Sequence, residues 1–393
     1  MPLLGFACLT LSAVALTVQI ASNGIAVWRC RRGHIGQSPR QRPPVTLVRP
    51  LCGLEPFSVE TLRSTFAIDY PDYEILFCVE DAGDPVVPLV RAVLAEHPGR
   101  DARLLIGKDA VGANPKLNNM AKGFRQSRCA HIVFVDSNVF TPPHYLDQIV
   151  AVLEDGAGMV TAPPVGLAPA GFWAELECAF LNSYQARMQY AIDTLGHGFA
   201  QGKTLFFHRA DLDHGGFAQL ASEPAEDAAA TRMMQARGRR IRLAGPFPQL
   251  VGPRSAIQVW KRQVRWARLR RVSFPMLFAP EFLAGGLPPL LALLAGLYSL
   301  GLPVEMAMLG FLVAWYLPEL VLLRVAGWPR SLGAILLRDL LLPVIFMAGC
   351  AGSRIEWHGK TLMTSRESQA PSRLGRMHPK LLWARLASRN PFA

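Results

Sequence analysis

The sequence predicts an α/β fold whose mostly parallel sheet is flanked by membrane helices near both ends of the chain. Short β-branched runs alternate with helix-like windows between residues 44 and 253. Such alternation is typical of a parallel sheet with helices on both faces. Residues 3–28 are uncharged and apolar, and further long apolar segments lie within residues 276–352. Because about 20 apolar helical residues cross a bilayer, both ends are predicted to contact a membrane.

The N-terminal apolar run is predicted to be a retained transmembrane anchor, residues 1–30. Arg29, Arg31 and Arg32 follow it closely, and a basic linker continues to residue 43. A cleaved signal peptide carries its positive charges before the apolar run, which is the reverse order. Positive flanks stay in the cytoplasm, so the segment that follows is predicted to be cytosolic.

Residues 44–253 are predicted to form the cytosolic domain. Five nearly continuous apolar runs read as strands buried on both faces, at residues 45–51, 73–81, 102–107, 131–139 and 159–165. Helices are predicted between them at residues 57–66, 86–96, 116–126 and 143–154. For the last of these, Thr141 is the predicted N-cap and Pro142 the first helical residue.

Acidic side chains lie at the ends of two of the predicted strands. The second predicted strand ends in Glu80 and Asp81, with Asp84 shortly after it, and Asp136 lies near the end of the fourth. A single carboxylate at a strand end is most often a turn or cap residue. Ligands of parallel sheets, however, bind outside the carboxyl ends of the strands. Two acidic ends on one edge therefore indicate a site for a metal, a phosphate or a sugar.

Two other short stretches can each be explained either by the start of a helix or by a binding or catalytic role. Glu226 and Asp227 precede the apolar-periodic run AAATRMMQARG, and acidic residues are favoured in the first turn of a helix in any case. Lys116 lies in the loop GANPKLNN, residues 112–119, which opens a predicted helix. That loop is either a plain N-terminal cap or a phosphate-binding helix start.

The C-terminal third begins with a basic helix, predicted over residues 254–275. It combines many arginines with two tryptophans and carries no acid as far as residue 271, a composition that suits the plane of a membrane interface. Residues 276–352 are predicted to be membrane helices, with crossings at 277–301 and 303–323.

The third apolar segment, residues 332–351, contains Arg338 and Asp339. It is predicted to lie in, or re-enter, the cytoplasmic leaflet. The basic tail, residues 353–393, is predicted to be cytoplasmic.

Charge and cysteine content narrow the class of protein. The net charge is +12, but the basic residues cluster beside apolar segments, so an anionic membrane surface is expected as partner and nucleic acid is not. The seven cysteines are scattered without a CxxC pair, as expected of reduced thiols. The histidines show no metal-ligand spacing either.

Several stretches, taken together, resemble a known family. They are RPLCGLEP, DYPDYEILFCVEDAGDP, DARLLIGKDAVGANPKLNNMAKGF, VFVDSNV, AEDAAATRMM and RQVRWARLRR. Their order resembles that of ceramide glucosyltransferases, family 21 of the glycosyltransferases, over roughly residues 45–275. The resemblance implies a cytosol-facing A-type, Rossmann-like nucleotide-sugar transferase domain. It also implies transfer of glucose, with inversion, from UDP-glucose to the primary hydroxyl of ceramide.

The resemblance also implies roles for individual residues. Asp81 contacts the uridine part of the donor, Asp136 faces the diphosphate and a divalent metal, and Asp227 is the general base. Lys116 is placed near the donor phosphates. The closing (Q/R)xxRW motif reads Arg262-Gln263-Val264-Arg265-Trp266, which gives Arg262 and Arg265 as donor contacts and Trp266 as an acceptor contact.

The sequence departs from the common DxD pattern at Asp136-Ser137-Asn138, which lacks the second acid. Mg²⁺ keeps several waters and can be held by one carboxylate with phosphate oxygens, so Mg²⁺ or Mn²⁺ is expected as cofactor. Residues 199–207, FAQGKTLFF, take the place of a different stretch in the animal enzymes. The GKT within them lacks the glycine spacing of a phosphate loop.

Alternative functions stay open at this stage. The same fold could transfer N-acetylglucosamine or another hexose to a hopanoid or diacylglycerol. A non-catalytic lipid-binding protein is a further alternative, and a processive polymerase would need more spanning segments. Because arginine far outnumbers lysine, a bacterial source is indicated, so we expect a multi-pass protein of the inner membrane.

Overall fold

The computed structural model describes residues 2–32, 38–112, 114–213, 215–221, 223–352, 354–357 and 360–363. Met1–Gly352 form one compact unit. In the second unit, Arg354–Trp357 and Lys360–Met363 pair as an antiparallel hairpin. The rest of the predicted cytoplasmic tail lies outside the described residues.

Strand and helix alternate through the first half of the chain, as predicted. The elements are α1 (Pro2–Arg32), β1 (Val45–Pro50), α2 (Ser58–Phe66), β2 (Tyr73–Val79), α3 (Val86–Glu96), β3 (Ala102–Ile106), α4 (Pro115–Gln126), β4 (His131–Val135), α5 (Tyr145–Glu154) and β5 (Met159–Thr161). All five predicted strands are confirmed at their first residues. Each strand ends before its predicted last residue, at Pro50, Val79, Ile106, Val135 and Thr161.

The second half adds short strands and the apolar helices. The elements are β6 (Gly166–Ala170), α6 (Phe172–Ala179), a π-helical segment (Phe180–Ala186), α7 (Arg187–Thr194), β7 (Thr204–His208), α8 (Gly216–Leu220), α9 (Glu226–Ala236), β8 (Ile241–Leu243), β9 (Gln249–Pro253), α10 (Ala256–Ser273), α11 (Pro275–Phe278), α12 (Leu287–Ser299), α13 (Glu305–Val325) and α14 (Leu332–Cys350).

The main sheet has seven strands in the order β3-β2-β1-β4-β7-β5-β8. Every pairing is parallel except those of β7, which runs antiparallel to both β4 and β5. Strands β1 and β2 are buried along their whole length, as expected for a sheet covered on both faces. The predicted α/β class with a mostly parallel sheet is confirmed, and the carboxyl ends of β2, β1 and β4 lie at one edge.

The predicted start of the fourth helix is wrong. Helix α5 begins at Tyr145, after an N-cap residue, His144, that makes no side-chain cap bond. The Thr141 hydroxyl instead lies 2.9 Å from the Ser64 hydroxyl, and the Thr141 backbone N–H donates to the same Ser64 oxygen at 3.0 Å. Thr141, which the local sequence pattern predicted as the helix cap, thus forms a tertiary hydrogen bond with Ser64 of α2 instead.

Three helices of the described residues are long and apolar enough to cross a membrane, namely α1, α13 and α14. Helices α1, α12 and α13 pack together. Gly5 of α1 is in close contact with Gly296 and Ser299 near the end of α12, and Gln19 of α1 donates to the Trp315 carbonyl of α13 at 3.1 Å. Helix α12 therefore runs antiparallel to α1.

The predicted crossing at residues 277–301 is interrupted. A short helical segment, Pro275–Leu283, meets α12 at an angle of 57°. The break contains Gly285 and Gly286, and glycine is the residue that weakens a helix most after proline. Helix α12 alone has 13 residues, about 20 Å at 1.5 Å per residue, which is shorter than a bilayer core.

Helix α14 packs along its length against the sheet-bearing part of the chain. It contacts α6 and α10, with Gly333 beside Phe172 at its start and Gly349 beside Ala267 near its end. The opposite face is an exposed apolar stripe at helical spacing, formed by Leu332, Leu336, Leu340, Val344 and Met347.

Glu319 of α13 forms a buried network with Arg338 and Asp339 of α14. Both nitrogens at the end of Arg338 donate to Glu319, at 2.6 and 3.0 Å, and Arg338 also binds Asp339 at 2.6 Å. The same guanidinium donates to the Ser183 hydroxyl of the π-helical segment at 2.8 Å. Charges inside apolar helices must be paired, and here the pairing joins the membrane helices to the sheet-bearing part.

Candidate active site

Asp136 follows β4 directly and forms ion pairs with two lysines. One carboxylate oxygen, Oδ1, lies 2.6 Å from Lys116 Nζ, and the other, Oδ2, lies 2.8 Å from Lys203 Nζ. The Asp136 side chain is 21% exposed and each lysine side chain 15%. Arg49 of β1, which is fully buried, donates to the carbonyls of Ser137 and Val139, and so fixes the loop that carries Asp136.

Lys116 links Asp136 to the acidic pair at the start of α9. Its Nζ lies 2.7 Å from Glu226 Oε1 and donates to the Gly202 carbonyl at 2.6 Å. The Asn114 side chain caps α4 and also donates to Glu226 at 2.9 Å. The cap interpretation is therefore confirmed at Asn114, and Lys116 lies in the site, whereas phosphate binding at this helix start stays a prediction.

Asp227 lies in the first turn of α9, as its sequence position predicts. One carboxylate oxygen accepts the Ala228 N–H and the other accepts the Gly202 N–H, both at 2.8 Å. The side chain is partly exposed, unlike the neighbouring Glu226, which is 3% exposed. Of the two acidic residues, Asp227 is the one with access to a bound molecule.

Gly202 is needed where these groups converge. A Cβ atom at this position would lie 3.0 Å from Glu226 Oε1 and 3.0 Å from Lys116 Nζ. It would also lie 3.4 Å from Asp227 Oδ2. The absence of a side chain thus lets the backbone before β7 approach all three groups, and Gly202 binds Lys116 through its carbonyl and Asp227 through its N–H.

The carboxyl groups of Asp136 and Asp227 have pKa values shifted in opposite directions. Burial raises the pKa of the Asp136 carboxyl, but Lys116 and Lys203 outweigh burial and hold the pKa well below its usual range. Burial, reinforced by the Glu226 carboxylate, raises the pKa of Asp227 to about 6, although Lys116 acts in the opposite direction. The site therefore pairs a carboxylate of lowered pKa with one of raised pKa, an arrangement common at functional sites.

Asp81 lies apart from this cluster. It is exposed in the loop after β2, where its Oδ1 accepts the Gly83 N–H at 2.9 Å. Strand β1 separates β2 from β4, so Asp81 and Asp136 share the carboxyl edge of the sheet without contacting each other. Asp84, which follows nearby, accepts the Gly53 N–H and stabilises the loop after β1.

The Arg-Trp motif lies on α10. Arg262 forms an ion pair with fully buried Glu177 of α6 at 3.0 Å, and its guanidinium lies 5.9 Å from the Trp266 ring centroid. Trp266 is partly buried against Ala174, Cys178, Leu181 and Val251. Burial and the nearby Arg262 lower the pKa of Arg265, and the charges of Glu177 and Asp136 act in the opposite direction. Arg265 thus interacts electrostatically with the cluster around Asp136.

The oxygen atoms around Asp136 fit a hard divalent cation only with added ligands. Carboxylate and amide oxygens of Asp136 and Asn138 are the donors that Mg²⁺ or Mn²⁺ takes. Among the described residues, no group of three His, Cys, Asp or Glu side chains could hold a metal. The residues therefore fit a cation that completes its shell with substrate phosphates and water, and not a protein cage.

Sequence reasoning missed several residues of this site. Lys203, Gly202, Arg49 and Glu177 were not singled out, although Arg49 interrupts an otherwise apolar strand and so carried a signal. Lys203 and Gly202 belong to the GKT that was only excluded as a phosphate loop. Their place beside Asp136 depends on the antiparallel insertion of β7 next to β4, which local pattern does not predict.

The amino-acid sequence is similar to that of a known protein family and to individual members with names. Residues 9–370 match the sequence model of Glycosyl transferase family 21. Ceramide glucosyltransferase 1 of Caenorhabditis elegans is 27% identical over 306 residues, which cover 76% of this chain and 65% of that protein. Ceramide glucosyltransferase 3 of the same organism is 26% identical over 339 residues, covering 83% and 74%. This chain thus spans slightly less than two thirds of the first relative.

Among solved structures, the mannosyltransferase PcManGT from Pyrobaculum calidifontis, in complex with GDP-Man and Mn²⁺, is similar. It covers 87% of this chain and 97% of its own, with 17% identity and a TM-score of 0.47. No residue role carries over at that level of similarity.

Proposed function

Because the chain belongs to glycosyl transferase family 21, we propose that it transfers a hexose from a nucleotide sugar to the hydroxyl of a membrane lipid. The family and the mostly parallel sheet confirm the expected fold, an A-type nucleotide-sugar transferase domain between apolar helices. The observation that carries the proposal is the convergence of Asp136, Lys116 and Asp227 at the carboxyl edge of that sheet.

The proposed substrates are UDP-glucose and ceramide, with the primary hydroxyl of ceramide as acceptor. Relatives that are named ceramide glucosyltransferase support this choice. The apolar helices of the same compact unit would keep the site at a membrane, where such an acceptor resides.

Asp227 is proposed as the general base. The acceptor hydroxyl oxygen attacks the anomeric carbon and forms the new C–O bond, while the bond from that carbon to the diphosphate oxygen breaks and UDP leaves with the electron pair. The hydroxyl proton passes to Asp227. A single displacement inverts the anomeric configuration, since no enzyme carboxylate forms a covalent bond to the sugar. A positioned base lowers the barrier because a neutral hydroxyl is a weak nucleophile.

The other predicted residues are proposed to hold the donor. Asp81 binds the uridine part, and Lys116, Arg262 and Arg265 neutralise the charge that develops on the diphosphate, which lowers the barrier electrostatically. Trp266 is proposed to contact the acceptor from its place on α10. Asp136, together with phosphate oxygens, would hold Mg²⁺ or Mn²⁺. When bound, that cation would stabilise the anionic leaving group.

The membrane placement follows from charge and packing. Arg29, Arg31 and Arg32 end α1 on the side of the sheet-bearing part, and Arg29 pairs with Asp193 of α7 at 2.7 Å. By the positive-inside rule, the catalytic domain is proposed to be cytoplasmic at a bacterial inner membrane. Helix α14, with its exposed apolar stripe, is proposed to lie in the cytoplasmic leaflet.

The proposal is tested with the full-length protein in nanodiscs. UDP-glucose, UDP-galactose and UDP-N-acetylglucosamine are each offered with ceramide, diacylglycerol or a hopanoid, and lipid products are identified by mass spectrometry. We expect hexosylceramide from UDP-glucose, with the β-anomer shown by NMR. Another sugar or acceptor would overturn the substrate assignment alone, and no hexosyl lipid from any pair would overturn the transferase function.

The rate is expected to depend on pH through Asp227. The base acts only when ionised, and its pKa is raised to about 6 by burial and Glu226. kcat/KM should therefore be constant above about pH 7 and fall about tenfold per pH unit well below pH 6. Initial rates of UDP release between pH 4.5 and 8.5 measure this dependence.

Glu226→Gln provides the matched control for that profile. Removing the neighbouring negative charge lowers the pKa of Asp227, so the acid limb should move to lower pH even if the plateau rate drops. An acid limb that stays in place, or moves to higher pH, would contradict Asp227 as the titrating base.

A further inference from the structure

Lys203 occupies a position beside Asp136 that the proposed mechanism leaves unexplained. Its Nζ lies 2.8 Å from Asp136 Oδ2 and 3.3 Å from Asn138 Oδ1. Its backbone carbonyl also accepts the Asp136 N–H at 3.1 Å. The ammonium group thus binds one carboxylate oxygen and one amide oxygen, which are the two protein ligand types available for a hard divalent cation here.

The two lysines on Asp136 differ in how firmly they are held. Lys116 bridges the carboxylates of Asp136 and Glu226 and also donates to the Gly202 carbonyl. Lys203 pairs with a single carboxylate. An ammonium group on a flexible four-carbon chain can move away by side-chain rotation alone. Displacing Lys203 from Asp136 therefore breaks fewer contacts than displacing Lys116.

We propose that the Lys203 ammonium group occupies the divalent-cation position at Asp136, and that a divalent cation binds there by displacing it. This inference rests on the proposed function, because the displaced ammonium group pairs with the diphosphate of the donor. Cation and donor then bind cooperatively. Without a diphosphate, the cation competes with Lys203 for the same oxygens, whereas with a diphosphate the displaced charge has a new partner.

Replacing Lys203 by methionine removes the competing charge and keeps the side-chain length. We expect Lys203→Met to bind Mn²⁺ at least about tenfold more tightly than the unmodified protein in the absence of nucleotide. In the variant, Mn²⁺ binds without first breaking the charged hydrogen bond between Lys203 and Asp136. The measurement is titration of free Mn²⁺ by EPR with the full-length protein in nanodiscs. Lys203→Arg, which keeps the charge, should bind like the unmodified protein.

Cooperativity gives the second readout. By reciprocity of linked binding, saturating UDP should tighten Mn²⁺ binding by a larger factor in the unmodified protein than in Lys203→Met. Lys108→Met is the matched control, because Lys108 lies 3.9 Å from Glu80 and its side chain is 71% exposed. That variant should match the unmodified protein in both titrations. Asp136→Asn in the Lys203→Met background should abolish the tight binding.

The outcomes separate this inference from the proposed function, because Mn²⁺ binding needs no sugar transfer. Equal Mn²⁺ affinity in Lys203→Met and the unmodified protein would overturn the inference even if the enzyme makes hexosylceramide. Tighter Mn²⁺ binding with no lipid product would overturn the function alone. Lys203→Gln is a second neutral variant, which replaces Lys203→Met in these titrations if the latter elutes as an aggregate.

Discussion

Replacing Asp227 by asparagine is expected to lower kcat/KM for hexose transfer by about 10²–10⁴, the usual contribution of a positioned general base. The amide cannot take the hydroxyl proton. Its carbonyl oxygen can still accept one of the two backbone N–H groups, from Gly202 or Ala228, that the carboxylate now binds. Initial rates of UDP release, measured with the full-length protein in nanodiscs, give the ratio.

Glu60→Gln is the matched control for this substitution. Glu60 also lies in the first turn of a helix, α2, so its replacement removes the same kind of favourable interaction with the helix dipole. It should leave the rate unchanged. If Asp227→Asn retained the rate within about twofold, Glu226 and Asp227 would serve only to stabilise the start of the helix. That result would favour a non-catalytic lipid-binding protein over an enzyme.

The strands were predictable because burial on both faces leaves a distinct pattern. A run such as residues 73–79 is apolar at nearly every position, and a strand covered by helices on both sides requires that. The helix start at Thr141 was not predictable, since Ser64 of α2 binds the threonine that the cap pattern assigned. Local rules fail where a tertiary partner competes for the same side chain.

The acidic part of the site was predictable for a similar reason. Carboxyl ends of parallel strands meet at one edge, so Asp81 and Asp136 were expected there from their strand positions alone. Lys203 and Gly202 precede β7, whose antiparallel pairing with β4 brings them to Asp136. A pairing between strands about 70 residues apart leaves no local signal. Of the two lysines that bind Asp136, the sequence therefore predicted Lys116 and not Lys203.

Replacing Arg338 by methionine is expected to destabilise the fold strongly. Arg338 is 3% exposed and donates to Glu319, Asp339 and Ser183. Breaking a buried ion pair from one side typically costs about 3–5 kcal/mol, because the remaining charge is buried without its partner. Asp339 keeps donors from Trp315 and Gly286, whereas Glu319 keeps a long bond of 3.5 Å from Gln19, so the loss of the ion pair on Glu319 should dominate. Thermal unfolding followed by tryptophan fluorescence in detergent measures the loss.

A second replacement shows whether the unpaired charge is the cause. Glu319→Gln in the Arg338→Met background removes that charge, and removal of both partners is far less costly than removal of one. The double variant should therefore unfold at a higher temperature than Arg338→Met alone. Arg324→Met, at an exposed position near the end of α13, is the matched control and should unfold like the unmodified protein. A double variant no more stable than Arg338→Met would show that the arginine acts through its bond to Ser183 and packing against the π-helical segment, and not through the charge on α13.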